Sequence, residues 1–342
     1  MILQGDNRIV MQTLDSESFH CCITSPPYLW VRDYGCQPIT LPAWTGCLGL
    51  EPTVEMFVAH IVLTMRDVWR LLRKDGTLWL NFGDTYYGSG KGRDAGGKGN
   101  PGGMHKQHHG QYSGNIKYQD FKSDELKDKD LIGIPWRIAF ALQADGWWLR
   151  MDNIWSKLNC MPESVRDRPT KAHEYVFLLA KSEHYYCDME SIKEPITASS
   201  AARLAQDIEN QSGSERANGG AKTNGNMKAV GGSKGAFGPE QSRKRSGDVV
   251  NESGMRNKRS VWTVATAQMK EAHFATFPEK LIEPCVLAGC PFGGRILDPF
   301  GGSGTTRKVA LENNRECTLI EINPKYIEME ERRTAIIQPK LF

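Results

Sequence analysis

The 342-residue sequence predicts an α/β protein built on a doubly wound, mostly parallel sheet. Three observations carry that expectation. Short apolar runs alternate with stretches of helical period along most of the chain. Residues 295–306, RILDPFGGSGTT, read as a strand, a glycine-rich turn and a helix start. The next apolar run ends in Leu319-Ile320-Glu321, which places an acid 23 residues beyond Asp298. That is close to the spacing at which nucleotide-binding sheets present a carboxylate to ribose hydroxyls.

The elements follow in chain order. Cys21-Cys22-Ile23-Thr24 is a short buried strand running into a proline-rich turn. Residues 54–72 form a helix with Phe57, Ile61, Met65, Val68 and Leu72 on one stripe; Gly76 closes its C-terminal end, and 77–80 start the next strand. Residues 134–144 are helical, with Pro135 near the start. Strands are expected at 148–155 and 175–180, with Trp147 and Trp148 in the core. A helix at 278–287 opens on Pro278, and strand 295–297, helix 305–312 and strand 317–322 complete the series. No internal repeat is present.

Composition narrows the class. No run of eighteen apolar residues suggests a membrane span, and the first residues lack the basic start and apolar stretch of a signal peptide. Nine scattered cysteines, none in a CxxC pair, suit a reducing compartment, so a cytoplasmic protein without disulfides or structural metal is expected. His105, His108 and His109 lie close together but lack a Cys or acid at ligand spacing. The net charge of +3 is unevenly spread. Residues 86–118 carry five Lys/Arg against one acid, and residues 199–260 carry eleven against six. Both segments are rich in glycine and polar residues and lack the period needed to bury a face. A polyanionic partner explains basic charge concentrated in this way.

The glycine-rich turn excludes two common ligands. A phosphate-binding Walker loop needs a lysine after its last glycine, and none follows Gly304. A dinucleotide fingerprint needs a third glycine where Arg307 stands. S-adenosyl-L-methionine fits instead: its carboxylate suits a helix N-terminus, and its ribose suits Glu321. Ser25-Pro26-Pro27-Tyr28 then acquires a chemical reading. An exocyclic amino group on a nucleobase is a poor nucleophile because its lone pair is delocalised into the ring. Two acceptors gripping its N–H bonds favour a pyramidal nitrogen. Ser25 Oγ and the Pro26 carbonyl can serve, the prolines stiffen the turn that places them, and Tyr28 can stack on the base.

Together these segments resemble the beta-class DNA amino-methyltransferases, which methylate N4 of cytosine or N6 of adenine. The resemblance covers most of the chain. It includes the circularly permuted order, in which the catalytic motif precedes the cofactor motif, here by about 270 residues. It implies an S-adenosylmethionine-dependent methyltransferase fold divided into a catalytic half at 1–85, a Gly/Lys/His-rich insertion at 86–130 and a continuation of the catalytic half at 131–190. A DNA target-recognition region at 191–270 and a cofactor-binding half at 271–342 follow. Ser25, Pro26, Pro27 and Tyr28 are then catalytic. The cofactor would be held by Asp6 at its adenine, by Thr276 and Phe277 at its methionine end, and by Asp298, Pro299, Phe300, Gly301, Gly302, Ser303, Gly304, Thr305 and Glu321. Trp30 and Arg32, which follow the catalytic turn, are candidate base contacts, as are Lys157 and Arg168 in segments similar to the family's target-base region. Arg243, Lys244 and Arg245 are candidate phosphate contacts. Double-stranded DNA is the implied partner, with a cognate restriction endonuclease as a further one. Serine at position 25, preceded by Ile-Thr, resembles the cytosine-N4 form, with N6-adenine as the alternative. An RNA or protein-amide methyltransferase, and an inactive nucleic-acid-binding relative, are the remaining readings. The two basic segments argue against the amide, and the intact motifs argue against inactivity.

Overall fold

A computed structural model of the chain describes residues 1–31, 34, 36–88, 123, 125–160, 162–199, 254–266, 277–335 and 337. It divides into two compact units, one formed by Met1–Asp188 with Arg259–Phe342 and the other by Met189–Lys258. In the second unit, β8 (Glu194–Pro195) pairs antiparallel with β9 (Met255–Arg256), and Arg256 bonds Glu194 across the pair at 3.0 Å.

The first unit is built on an eight-stranded sheet. Its strands are β1 (Ile2–Gln4), β2 (Phe19–Thr24), β5 (Leu72–Phe82), β6 (Trp148–Lys157), β7 (His173–Ala180), β10 (Val261–Val264), β11 (Arg295–Asp298) and β12 (Glu316–Glu321). Their order is β1-β12-β11-β2-β5-β7-β6-β10. All run parallel except β7, which pairs antiparallel with β5 and β6. A small hairpin, β3 (Ile39–Leu41) with β4 (Trp44–Gly46), stands apart.

Helices α1 (Asn7–Gln12), α2 (Val54–Leu71) and α3 (Ile134–Ala144) pack together, as do α4 (Glu279–Gly289), α5 (Thr305–Glu312) and α6 (Pro324–Thr334). The two layers lie on opposite faces of the sheet, as the strand alternation shows. Cys22, Leu78, Leu80, Leu297 and Ile320 join the core with Phe57, Ile61, Met65 and Val68 of α2, together with Ile138 and Leu142 of α3. Their neighbours Cys21, Ile23, Trp79, Ile296 and Leu319 are equally buried and point the other way, the indole of Trp79 lying against Gly289 of α4.

The expected elements are present, with three differences. Gly76 does not close α2. The helix ends at Leu71, and Gly76 lies inside β5, in a stretch where the pairing with β2 jumps from Phe19↔Leu72 to Cys21↔Thr77. Such an irregularity is where a glycine in a strand commonly sits. Trp147 is buried at 2% exposure, but Trp148 is 45% exposed, because consecutive residues entering a strand point to opposite sides. Helices α1 and α6, strands β1 and β10, and the short β3–β4 and β8–β9 pairs lie outside the expected elements. Among the described residues, no helix is long and apolar enough to cross a membrane, and no cluster of His, Cys, Asp and Glu could hold a metal ion. The three histidines at 105–109 lie outside the described residues.

A buried polar cluster clamps the segment after β2 onto α2. Glu51 is fully buried. Its Oε2 accepts the Gly49 N–H at 2.8 Å, its Oε1 lies 3.0 Å from His60 Nδ1 on α2, and its carbonyl accepts the indole N–H of Trp30 at 2.7 Å. Burial pushes the Glu51 carboxyl above its ordinary range, against the pull of the His60 hydrogen bond. His60→Leu should cost about 2–4 kcal/mol in chemical denaturation, because it strands a buried carboxyl. Glu51→Gln should cost less, since its amide oxygen still accepts from Gly49. Losses under about 0.5 kcal/mol for both would mean that the cluster is no clamp.

Candidate active site

The site lies at the carboxyl ends of parallel strands, where open α/β sheets place their ligands. Five chain segments leave the sheet there: residue 5 onward from β1, 25 from β2, 83 from β5, 299 from β11 and 322 from β12.

Asp298, the last residue of β11, is 1% exposed and ties the segment leaving β2 to its own segment, through three donors. Its Oδ1 accepts the Thr24 hydroxyl from the end of β2 at 2.7 Å and the Phe300 N–H at 3.1 Å. Its Oδ2 accepts the Thr306 hydroxyl from the first turn of α5 at 2.6 Å. Burial pushes the carboxyl up to about 7, even though these donors favour its charged form.

The glycine-rich loop wraps over that anchor. Gly304 adopts φ +75° and serves as the N-cap of α5, which has no side-chain cap, so the helix presents bare N–H groups there. Glu321 at the end of β12 holds the loop from the side: its Oε2 accepts the Gly302 N–H at 2.9 Å, and its Oε1 accepts the Asn323 N–H at 2.8 Å. A Cβ on Gly302 would meet only the Phe300 carbonyl, at 3.8 Å, so this side of the loop is open. Asp6 lies beside Glu321, because β1 pairs with β12 through Gln4↔Glu321 and Gly5 donates its N–H to the Glu321 carbonyl at 2.9 Å. Asp6 also caps α1 by accepting the Arg8 N–H, and the Asn7 amide donates to the Pro299 carbonyl at 3.0 Å. Arg333 on α6 braces the loop through the Ser303 carbonyl and reaches Glu279 on α4 at 3.3 Å. Phe277 is half-buried just before α4; Thr276 lies outside the described residues.

Beneath the loop sits Glu330 of α6, fully buried and pressed against Gly301 and Gly304. Among the described residues, neither of its carboxyl oxygens has a hydrogen-bond partner. Burial first, and then the nearby Glu321 and Asp298 carboxyls, push it up to about 9.

At the end of β2, Tyr28 turns back toward the sheet. Its hydroxyl donates to Glu174 Oε2 of β7 at 2.7 Å, lies 3.0 Å from Asn81 Oδ1 of β5, and receives the Ser25 hydroxyl at 3.4 Å. Gly83 makes room for the ring: a Cβ there would sit 2.7 Å from Tyr28 Cε2. Glu174 Oε1 is held by Lys157 of β6, and the Asn81 amide donates to the Tyr175 carbonyl at 2.9 Å. Burial, and then Glu174, raise the Tyr28 phenol well above its ordinary value, so it stays a neutral donor.

The structure therefore brings Asp6, Ser25–Tyr28, Asp298–Thr305 and Glu321 to one edge. Other candidates stand differently. Trp30 is 7% exposed with its indole N–H committed to Glu51, so it supports the loop rather than offering a face to a base. Lys157 is turned inward onto Glu174. Arg168 lies over the Tyr86 ring at 3.8 Å and pairs with Glu163 at 2.5 Å. Arg32, Arg243, Lys244 and Arg245 lie outside the described residues. Sequence reasoning missed Thr24, Asn81, Thr306 and Glu330. The first three had a signal, namely a hydroxyl or amide residue near the end of a strand at Thr24 and Asn81 and in the first helical turn after the glycine loop at Thr306.

Glu330 yields a stability prediction. A carboxyl raised from 4.5 to about 9 on folding contributes stability that is complete below the lower value and is lost as pH rises toward the higher one. Glu330→Gln should therefore flatten the fall in thermal stability between about pH 6 and 9. A slope identical to that of the parent protein would contradict this.

Residues 19–332 match the family described as DNA methylase. The chain is 40% identical over 335 residues to the type II methyltransferase M.SmaI of Serratia marcescens, covering 97% of this chain and 89% of that one. It is 38% identical over 332 residues to M.Cfr9I of Citrobacter freundii, covering 97% and 86%. The fold is similar to that of the PvuII DNA methyltransferase (cytosine-N4-specific), with a TM-score of 0.58 at 16% identity over 97% of this chain and 85% of the other. A match that spans most of the sequence, with relatives near 40% identity along nearly all of it, settles the membership: the chain belongs to the DNA methylase family.

Proposed function

We propose that the protein transfers a methyl group from S-adenosyl-L-methionine to N4 of a cytosine swung out of duplex DNA. The observation that carries this reading is the Thr24–Asp298 hydrogen bond, which sets Ser25-Pro26-Pro27-Tyr28 beside the head of the glycine loop. The loop fits the cofactor: it has an open side at Gly302, uncapped N–H groups at α5 for a carboxylate, and Glu321 for ribose hydroxyls. Asp6 would face the adenine, and Thr276 and Phe277 the methionine end. The bound cofactor supplies an electrophilic sulfonium methyl group.

The chain's own residues do the rest. Ser25 Oγ and the Pro26 carbonyl accept the two amino N–H bonds and free the nitrogen lone pair. Tyr28 stacks on the base, which returns about 1–3 kcal/mol of the few kcal/mol spent on unstacking it. Displacement at the methyl carbon is in line, so holding nitrogen and methyl group in register is the main demand. Serine at position 25 supports cytosine over adenine as the target. Arg243, Lys244 and Arg245 in the region 191–270, with the basic segment at 86–118, would track phosphates and supply salt-dependent affinity. A cognate restriction endonuclease fits the type II naming of the relatives.

The test is to incubate the protein with unmethylated duplex DNA and isotope-labelled cofactor, digest the DNA to nucleosides, and identify the labelled one by mass spectrometry. N4-methylcytosine is expected; N6-methyladenine would overturn the target base and leave the chemistry standing. Ser25→Ala should slow transfer about 100-fold while leaving cofactor affinity unchanged.

A further inference from the structure

Methylation leaves the amino nitrogen with one proton too many, and that proton needs an exit. We infer that it leaves by a relay from Ser25 Oγ through the Tyr28 hydroxyl to the Glu174 carboxylate, with Lys157 and Asn81 as positioning residues. This inference rests on the reading of Ser25 as an acceptor for the substrate amino group.

Hydrogen-bond polarity carries the argument. Ser25 and Tyr28 each have one hydroxyl proton. Ser25 directs its proton at the Tyr28 oxygen at 3.4 Å, and the Tyr28 proton has two acceptors, Asn81 Oδ1 at 3.0 Å and the closer, charged Glu174 Oε2 at 2.7 Å. Both donors are committed along the chain toward Glu174. Ser25 Oγ thus keeps its acceptor capacity for the substrate amino group. A chain of aligned hydroxyls ending on a carboxylate polarises in one direction, and each link strengthens the next. Glu174 is fixed so that it can end the chain: Lys157 takes Oε1, leaving Oε2 for the phenol, and the Asn81 amide donates to Oε2 at 3.3 Å. The Glu174 and Lys157 side chains are 14% and 21% exposed, so the far end touches solvent, where the proton can be released.

The step balances. The nitrogen–carbon bond forms as the sulfur–carbon bond breaks, and the positive charge passes from sulfur to nitrogen. The amino nitrogen then gives a proton to Ser25 Oγ, Ser25 gives its own to Tyr28, and Tyr28 gives its own to Glu174. The products are a neutral methylated base, a neutral thioether, unchanged serine and tyrosine, and a neutral Glu174 carboxylic acid that returns its proton to water.

The experiment is single-turnover methyl transfer across pH in H2O and D2O, with the parent protein, Tyr28→Phe and Glu174→Gln, each first shown to bind cofactor and DNA normally. Tyr28→Phe keeps the ring and its stacking surface and removes only the relay. Transfer should slow about 10- to 100-fold in both variants, and the residual rate should climb with pH as hydroxide replaces the relay. The relay predicts a slowing in D2O for the parent protein, and that slowing should shrink in both variants. Parent-like rates in both variants would overturn the relay. So would slower rates with a parent-like pH profile and isotope effect, since that pattern reports lost positioning alone. A parent protein that methylates no nucleoside would overturn both the relay and the functional reading beneath it.

Discussion

A single buried hydrogen bond, from the Thr24 hydroxyl to Asp298, holds together two segments 274 residues apart in sequence. Thr24 ends one parallel strand and Asp298 ends its neighbour, so the bond fixes the relative height of everything that follows each strand. On one side lie Ser25 and Tyr28; on the other lies the glycine loop. Asp298 makes this junction with three donors at once, and burial drives its carboxyl up to about 7 nonetheless. The anchor works because its surroundings are dry, where a hydrogen bond is strong and an unpaired polar atom is costly.

The site also depends on which face each residue occupies. Successive strand residues bury alternately under the layer of α2 and α3 and under the layer of α4, so the sheet is held from both sides and its carboxyl edge stays in place. Above that edge, the stretch from 301 to 304 has almost no side-chain bulk of its own. It is shaped instead by Glu321 from the side, Arg333 from α6 and the neutral Glu330 below. Tyr28 is likewise shaped from outside, by the absence of a side chain at Gly83 and by the carboxylate of Glu174.

Much of this was legible in the amino-acid order, because strand and helix periods and the two motifs are local signals. The glycine turn excluded ATP and NAD on one residue each, at the position after Gly304 and at Arg307. The long stripe of α2 read correctly from Phe57 to Val68, and α5 matched to the residue. What was not legible depends on pairings between distant strands. Nothing local says that Lys157 will turn inward to Glu174 rather than outward to a phosphate, because β6 and β7 become neighbours only in the folded sheet. Trp30 read as a candidate base contact because it follows the catalytic turn, but its indole is spent on Glu51, twenty-one residues away. Glu330 sits in a helix whose charged composition hides a fully buried carboxyl. Gly76 looked like a helix stop, because a glycine in a strand irregularity and a glycine after a helix read alike until the pairing partner is known.

The most direct test of the junction is calorimetric titration of S-adenosyl-L-methionine into folded Thr24→Val protein without DNA. Thr24 belongs to the catalytic segment and lies outside the proposed cofactor contacts. If its hydroxyl sets Asp298 and through it the loop, cofactor affinity should fall about tenfold, the equivalent of one hydrogen bond to a carboxyl. Affinity equal to that of the parent protein would show that the two motifs are merely adjacent and that the loop holds its shape without the strand beside it.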